Sequence, residues 1–146
     1  ILRNFVLSEP KYLAVNNSWR FRTISHPEIT GIYNQFYSNG KKILPNNIEN
    51  IMADKLSLAA WFMDDGCKWM SKGQELGLIL NTQNFERDEV EKLKKIFTRL
   101  YRIDTRIHKD HGKFRMHIPV KYQNKFANLI RAHIVDALKY KLPKDP

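Results

Sequence analysis

Leu58-Ala59-Ala60-Trp61-Phe62-Met63-Asp64-Asp65-Gly66 is the stretch that decides how this chain is read. Leu56 to Met63 is an apolar run long enough for a buried helix, and Asp64-Asp65-Gly66 closes it with glycine as the stop signal. Small Ala59 and Ala60 let a second helix approach closely. Asp65 then sits at a helix C-terminus, where the backbone dipole disfavours a carboxylate by a few tenths of a kcal/mol up to about 1. A cation relieves that cost. Two such helices side by side bring two carboxylates together, and oxygen ligands of that kind suit hard divalent ions. Paired ions in turn suit phosphodiester hydrolysis, because they stabilise both the attacking and the leaving oxygen. An arbitrary Asp-Asp-Gly is ordinarily a helix end in a polar turn, so the surrounding sequence has to carry the stronger reading.

Working outward toward the C-terminus, a short strand is predicted near Lys68 to Ser71 and another from Leu76 to Gln83. Phe85 to Tyr101 has Val90, Leu93, Ile96, Phe97 and Leu100 at helical spacing. Ile103 to Lys109 reads as a strand that turns through Asp110-His111-Gly112 into Lys113 to Val120. A helix follows with Phe126, Leu129 and Ile130 on one face, and then Lys139-Tyr140-Lys141-Leu142-Pro143. The predicted unit is αββαββα, an α+β fold.

Toward the N-terminus, Ser18 to Ile24 alternates as a half-buried strand, with Trp19, Phe21 and Thr23 opposite Arg20 and Arg22. His26-Pro27-Glu28 opens a helix bearing Ile29, Ile32, Tyr33, Phe36 and Tyr37, with proline near its first turn. Ser38-Asn39-Gly40 stops it, and the basic turn Lys41-Lys42-Ile43-Leu44-Pro45 follows. Strand, helix and a K-x-x-L-P ending therefore occur twice, which points to an internal duplication. Residues 1–54 read as the tail of a first repeat and residues 55–146 as a near-complete second one. Residues 1–14 leave room for one strand, not for the head of a repeat, so a missing N-terminal segment or a second chain is expected to supply the other motif helix.

Composition narrows the function classes. Lys and Arg number 25 against 15 Asp and Glu, a net charge of +10 over 146 residues. That excess favours a polyanionic partner, nucleic acid before membrane. No apolar run approaches the roughly 20 residues that span a bilayer, so no membrane partner is expected. Cys67 is the sole cysteine, which excludes a disulfide framework within the chain and fits a reducing compartment.

The nine-residue stretch resembles the signature of the LAGLIDADG homing endonucleases, in the L-A-x-W-F-M-D-D-G form of fungal and algal organelles. Ser38 to Ile48 (SNGKKILPNNI), Leu80 to Phe85 (LNTQNF) and Tyr140 to Pro143 (YKLP) resemble the same family in the same order, so the likeness runs from Trp19 to Pro143. The resemblance implies a sequence-specific double-strand DNA endonuclease that uses Mg²⁺, encoded in an organelle, the mitochondrion before the chloroplast. By position it makes Asp65 the metal ligand and Asp64 the less constrained neighbour. Lys42 and Lys141 match lysines that stabilise charge near the scissile phosphate, although the two copies differ by one residue of register there. Gln83 matches a strand-end residue that orders water or touches DNA, with a capping or surface role equally open. Cys67 and Trp69 read as structural or as contacts beside the site. His108, His111, His117 and His133 lack metal-site spacing and read as surface or phosphate-contacting residues.

The strands supply the expected DNA surface. Ile103, Thr105 and Ile107 alternate with Arg106 and His108, and the hairpin partner adds Lys113, Arg115 and His117. Arg20 and Arg22 repeat the pattern earlier. Two-stranded ribbons fit the major groove of double-stranded DNA, where Arg and Lys read guanine. The rival readings are a non-catalytic module on the same scaffold that binds structured RNA, such as an intron maturase or a domesticated ribosomal protein, and a non-functional remnant of a mobile intron gene.

Overall fold

The computed structural model describes residues 3–144, so the outermost residues of both repeat assignments, 1–2 and 145–146, lie outside it. The chain forms two compact units, residues 1–43 and 44–146.

The first unit pairs strand β1 (Lys11–Leu13) antiparallel with β2 (Ser18–Arg20). Helix α1 (Pro27–Phe36) follows, with His26 as its N-cap: the His26 imidazole Nδ1 accepts from the Glu28 amide at 3.3 Å. A two-residue hairpin, β3 (Tyr37–Ser38) and β4 (Lys41–Lys42), closes the unit through left-handed Asn39 and Gly40. Two expectations change here. The strand predicted to Ile24 stops at Arg20, with only an isolated bridge from Thr23 to Val6 beyond it. Its apolar side is also not half-buried: Trp19 is 70% and Phe21 49% exposed. Helix α1 likewise buries none of its residues. The unit has patterned apolar residues but too few elements to cover them.

The second unit holds the core. Helix α2 (Ile48–Ala53) leads into α3 (Lys55–Asp65), β5 (Gly66–Ser71), β6 (Gln74–Leu80), α4 (Arg87–Tyr101), β7 (Arg106–Asp110), β8 (Lys113–Pro119) and α5 (Val120–Ile130). From α3 onward this is the predicted αββαββα order. Short 3₁₀ turns at Arg131–His133 and Asp136–Lys141 end it. The four strands form one antiparallel sheet in the order β5-β6-β8-β7. Both of its tight hairpins place a residue and a glycine in the left-handed region, Lys72-Gly73 and His111-Gly112. That geometry matches the natural twist of paired strands.

Register fixes the two sheet faces. Leu78 pairs with Ile118, Leu80 with Met116 and Met116 with Ile107. Those residues face α4 and α5, and Leu78, Leu80, Met116 and Ile118 are fully buried. Phe62 of α3 meets Phe126 of α5 edge-on at 5.4 Å, and Phe97 of α4 stacks on Phe126 at 6.0 Å. Full burial of each such ring stabilises the fold by about 1.5–3 kcal/mol. Helix α4 starts on a capping box between Glu86 and Glu89. Glu89 also accepts from the Leu44 amide at 2.9 Å, which anchors the segment entering this unit.

Candidate nucleic-acid interface and carboxylate site

The motif helix α3 is capped by Asp54, whose carboxylate accepts from the Ser57 amide at 2.8 Å. Leu58, Ala59 and Phe62 face the unit's own core. This corrects one expectation: Ala59 is fully buried on the core-facing side of α3 and unavailable to a second helix. The exposed small residue is Ala60, one helical turn beyond Leu56, which is 40% exposed. Glycine does stop the helix, but not through the left-handed conformation common at helix ends. Gly66 has φ −92° and ψ 149°, an extended conformation open to any residue. What it requires is space, since a Cβ there would lie 2.2 Å from the Phe62 ring and 2.4 Å from the Phe62 carbonyl oxygen. The chain leaves α3 directly into β5 with its backbone pressed on the preceding turn.

Asp65 is half-buried and Asp64 exposed at that end. The Asn81 amide donates to the Asp65 carbonyl oxygen at 3.0 Å, tying the end of β6 to the end of α3. Lys141 reaches the same end, its ammonium donating to the carbonyl oxygens of Met63 at 2.6 Å and Asp64 at 3.4 Å. Asp65 and Lys141, predicted from separate motifs, therefore flank one helix terminus. Among the described residues no three His, Cys, Asp or Glu side chains gather into a metal-binding group. Asp65 is thus one hard oxygen donor, and the chain's described residues fit part of a divalent-ion site, not a complete cage.

The other sheet face carries the basic residues. Arg106 pairs with His117, His108 with Arg115 and Asp110 with Lys113 across β7 and β8. These positions alternate with the helix-facing ones, so Arg106, His108, Lys113 and Arg115 share the face away from α4 and α5. Gln83 joins them. With its amide oxygen turned toward β8, it accepts from Arg115 Nε at 2.7 Å and Nη2 at 3.1 Å. Asp110 meets the same guanidinium at 2.5 Å from Nη2. Sequence reading missed Asp110 as a partner, having taken it as a turn residue. The signal was its position diagonal to Arg115 on a hairpin whose turn could be located.

His117 departs from the expected exposed contact. It is 4% exposed, beneath Trp69 and His108. Its Nε2 donates to the Leu76 carbonyl oxygen at 2.8 Å, and its Nδ1 lies 3.3 Å from His108 Nε2. A carbonyl oxygen can only accept, so Nε2 carries a proton and neutral His117 has Nδ1 free to accept from His108. Burial lowers the His117 pKa below that of a free imidazole, and repulsion by His108 and Arg106 adds to this against the opposing Leu76 bond. Gly77, in the left-handed region at φ 126°, leaves room for the ring, since a Cβ would lie 2.9 Å from His117 Nε2 and 2.1 Å from the Ile118 carbonyl oxygen. Trp69 sits edge-on to both imidazoles, 4.7 Å from His108 and 4.6 Å from His117. Cys67 is exposed on β5, and His111 and His133 are exposed as expected.

Arg20, Arg22 and Lys42 belong to the first unit. Arg20 and Arg22 are exposed and line a hollow with Lys11, Glu9 and Phe21. Lys42 is half-buried in β4, across from Tyr37. No helix is long and apolar enough to cross a membrane among the described residues.

Comparison with known proteins bears on this arrangement. The model of a family described as the LAGLIDADG DNA endonuclease family matches residues 1–126. The chain is 32% identical to a protein named probable intron-encoded endonuclease 1 of Wickerhamomyces canadensis, over 97% of this chain and 65% of that protein. It is 34% identical to a cytochrome b mRNA maturase bI2 of Debaryomyces hansenii, over 84% of this chain and 45% of that protein. The chain thus spans less than two thirds of the length of either relative. Among solved structures, the homing endonuclease I-WcaI bound to its DNA recognition sequence superposes with a TM-score of 0.85 at 30% identity, over 97% of this chain and 67% of that one.

Proposed function

The chain belongs to the LAGLIDADG DNA endonuclease family, and on that premise we propose that it acts in sequence-specific cleavage of double-stranded DNA. The observation that carries the proposal is the register of β7 and β8, which lines up Arg106, Arg115 and Lys113 on the sheet face that the helices leave open. Such a face offers cations to phosphates and donors to base edges. Exposed Arg20 and Arg22 of the first unit would offer phosphate contacts of their own, and His108 would add a donor beside Arg115. His117 is reassigned to support His108 from below, because its own ring is covered.

At the end of α3, Asp65 would hold Mg²⁺ together with a carboxylate from a second motif helix, supplied by a segment outside these residues or by a second chain. The bound ion would polarise phosphate oxygens and neutralise developing charge. The chain's own groups do the rest. Lys141 fixes the helix end that presents Asp65 and keeps positive charge beside it. Gln83 orients Arg115 at the strand end nearest that carboxylate, and by the family resemblance Lys42 of the first unit would stabilise charge near a scissile phosphate. Leu56 and Ala60 are the exposed stripe on which the second helix would pack. Residues 1–54 and 55–146 would then be the tail of one repeat and the body of the next. The relatives' intron origin, including a cytochrome b maturase, supports an organellar and specifically mitochondrial setting.

A second reading is favoured by the maturase relative: the same basic face would bind structured intron RNA without cutting it. Duplex binding measured against salt separates the two. For DNA, the slope of log affinity against log salt should flatten by about 0.9 for each phosphate contact removed, as in Arg106→Gln or Lys113→Gln. Tight binding to intron RNA with no measurable duplex binding would favour the maturase reading.

A further inference from the structure

We propose that His108 and His117 form a one-proton device that couples DNA binding to pH, with His108 taking up the proton and His117 fixing the tautomer that lets it. The inference rests on the DNA-binding reading above and adds a regulatory property to it.

The hydrogen bonds decide which ring can charge. The Leu76 carbonyl oxygen, 2.8 Å from His117 Nε2, holds the His117 proton there and leaves Nδ1 as the acceptor. His108 Nε2, 3.3 Å from that Nδ1, is then the donor. The free lone pair of neutral His108 is thereby confined to its own Nδ1. A proton added there breaks no bond of the pair and makes Nε2–H a charge-assisted donor to His117. A proton added to His117 Nδ1 would instead set donor against donor. Burial opposes it further, since His117 is 4% exposed and its pKa is held down chiefly for that reason. The pair therefore has room for one extra proton, on the outer, half-buried ring of His108.

The neighbours decide what a ligand changes. Strand register turns Arg106 and Asp110 of β7, and Lys113 and Arg115 of β8, to the face that the pair occupies. Strand β6 turns Gly77 and Ile79 to it, and β5 turns Trp69 and the thiol of Cys67. Asp110 is engaged by Arg115, so the cations Arg106 and Lys113 dominate and oppose a further positive charge in the free chain. The phosphates of a bound duplex reverse that balance and favour the charged form of His108. By linkage, a ligand that favours protonation is itself favoured by protonation. Imidazole is the side-chain group that ordinarily changes charge between about pH 5 and 8. Affinity should thus rise as pH falls through that range, by at most about tenfold per pH unit for one proton.

The test is calorimetric titration of the full chain with a mixed-sequence DNA duplex near neutral pH, in buffers of different ionisation heat, which reads the protons taken up on binding. The native chain should take up a fraction of one proton, and its affinity should fall from about pH 6 to about pH 8. His108→Gln should lose that uptake and flatten the pH dependence. His117→Gln should keep both, because its amide can donate to Leu76 and accept from His108. Proton–nitrogen correlation spectra of the imidazoles should show His117 neutral, with its proton on Nε2, over the range in which His108 charges. Uptake that persists in His108→Gln belongs to another group, such as exposed His111, and overturns the proposal. Uptake lost in His117→Gln, or a duplex bound with no proton taken up, overturns it as well while leaving the DNA-binding reading intact. A native chain that binds no duplex would bring down that reading and this device with it.

Discussion

The Lys141 ammonium donates to the Met63 carbonyl oxygen at 2.6 Å, across a sequence separation of 78 residues. It thereby closes the C-terminal end of the helix that carries Asp65. The last carbonyls of a helix have no partner within it, and the terminus carries a partial negative charge. Lys141 answers both at once. Replacing it with methionine keeps the aliphatic stem and removes the ammonium. Lys141→Met should lower stability by about 1 kcal/mol in urea denaturation, and Lys141→Arg should recover part of the loss. An unchanged midpoint in Lys141→Met would leave the contact without energetic weight.

Asp65→Asn tests the carboxylate. In a complete protein that cuts DNA, the substitution should abolish double-strand cleavage and leave duplex affinity within a fewfold of native, because the binding contacts lie elsewhere. Asp64→Asn should do less, since Asp64 is exposed at the neighbouring position. The present chain, as a proven monomer, should not cut both strands efficiently with a single carboxylate-bearing helix. Full cleavage activity in Asp65→Asn would end the metal assignment.

The order of elements from α3 to α5 was legible because each helix there buries a regular apolar stripe and each hairpin is punctuated by glycine. The motif pair Asp65 and Lys141 was legible for another reason: both occur in short stretches whose likeness to a family could be recognised. What the sequence hid were relationships set by tertiary contact. Alternation put His117 on the basic face correctly, yet could not show that Trp69 folds over it from β5. Ala59 and Ala60 look equivalent in sequence, but the helix turns one toward Phe126's cluster and the other to solvent. Trp19 and Phe21 obey the pattern of a buried strand, and pattern alone cannot tell whether a covering layer exists.

The close passage at Gly66 gives a sharp prediction. Gly66→Ala would press a methyl group against the backbone oxygen of Phe62, which cannot move without unwinding the last turn of α3. It should destabilise by about 1–3 kcal/mol or more. Gly31 is the control. It lies inside α1, and a methyl group added there would meet nothing within 4 Å, so Gly31→Ala should stabilise by about 0.5–1 kcal/mol. The same denaturation experiment reads both, and opposite signs are expected. Equal effects would mean that Gly66 is not sterically required.

The buried imidazole makes stability depend on pH in a defined window. His117 resists protonation in the folded chain, chiefly because it is buried and further because His108 and Arg106 lie close. In the unfolded chain the same imidazole takes up a proton near its ordinary pKa of about 6.5. The unfolded state therefore binds more protons as pH falls through that value, and stability contributed by neutral His117 is present above about pH 6.5 and lost progressively below it. The depressed carboxylates Asp54 and Asp136 act in the acid range instead, since their ordinary pKa is 3.8. Between pH 7 and pH 5 the native chain should thus lose stability more steeply than His117→Gln, with a difference in slope of at most about 1.4 kcal/mol per pH unit for one proton. Glutamine has a side-chain amide to offer the Leu76 carbonyl oxygen and no group that titrates in this range. Parallel stability curves for the two proteins across that window would show that His117 is not the group responsible.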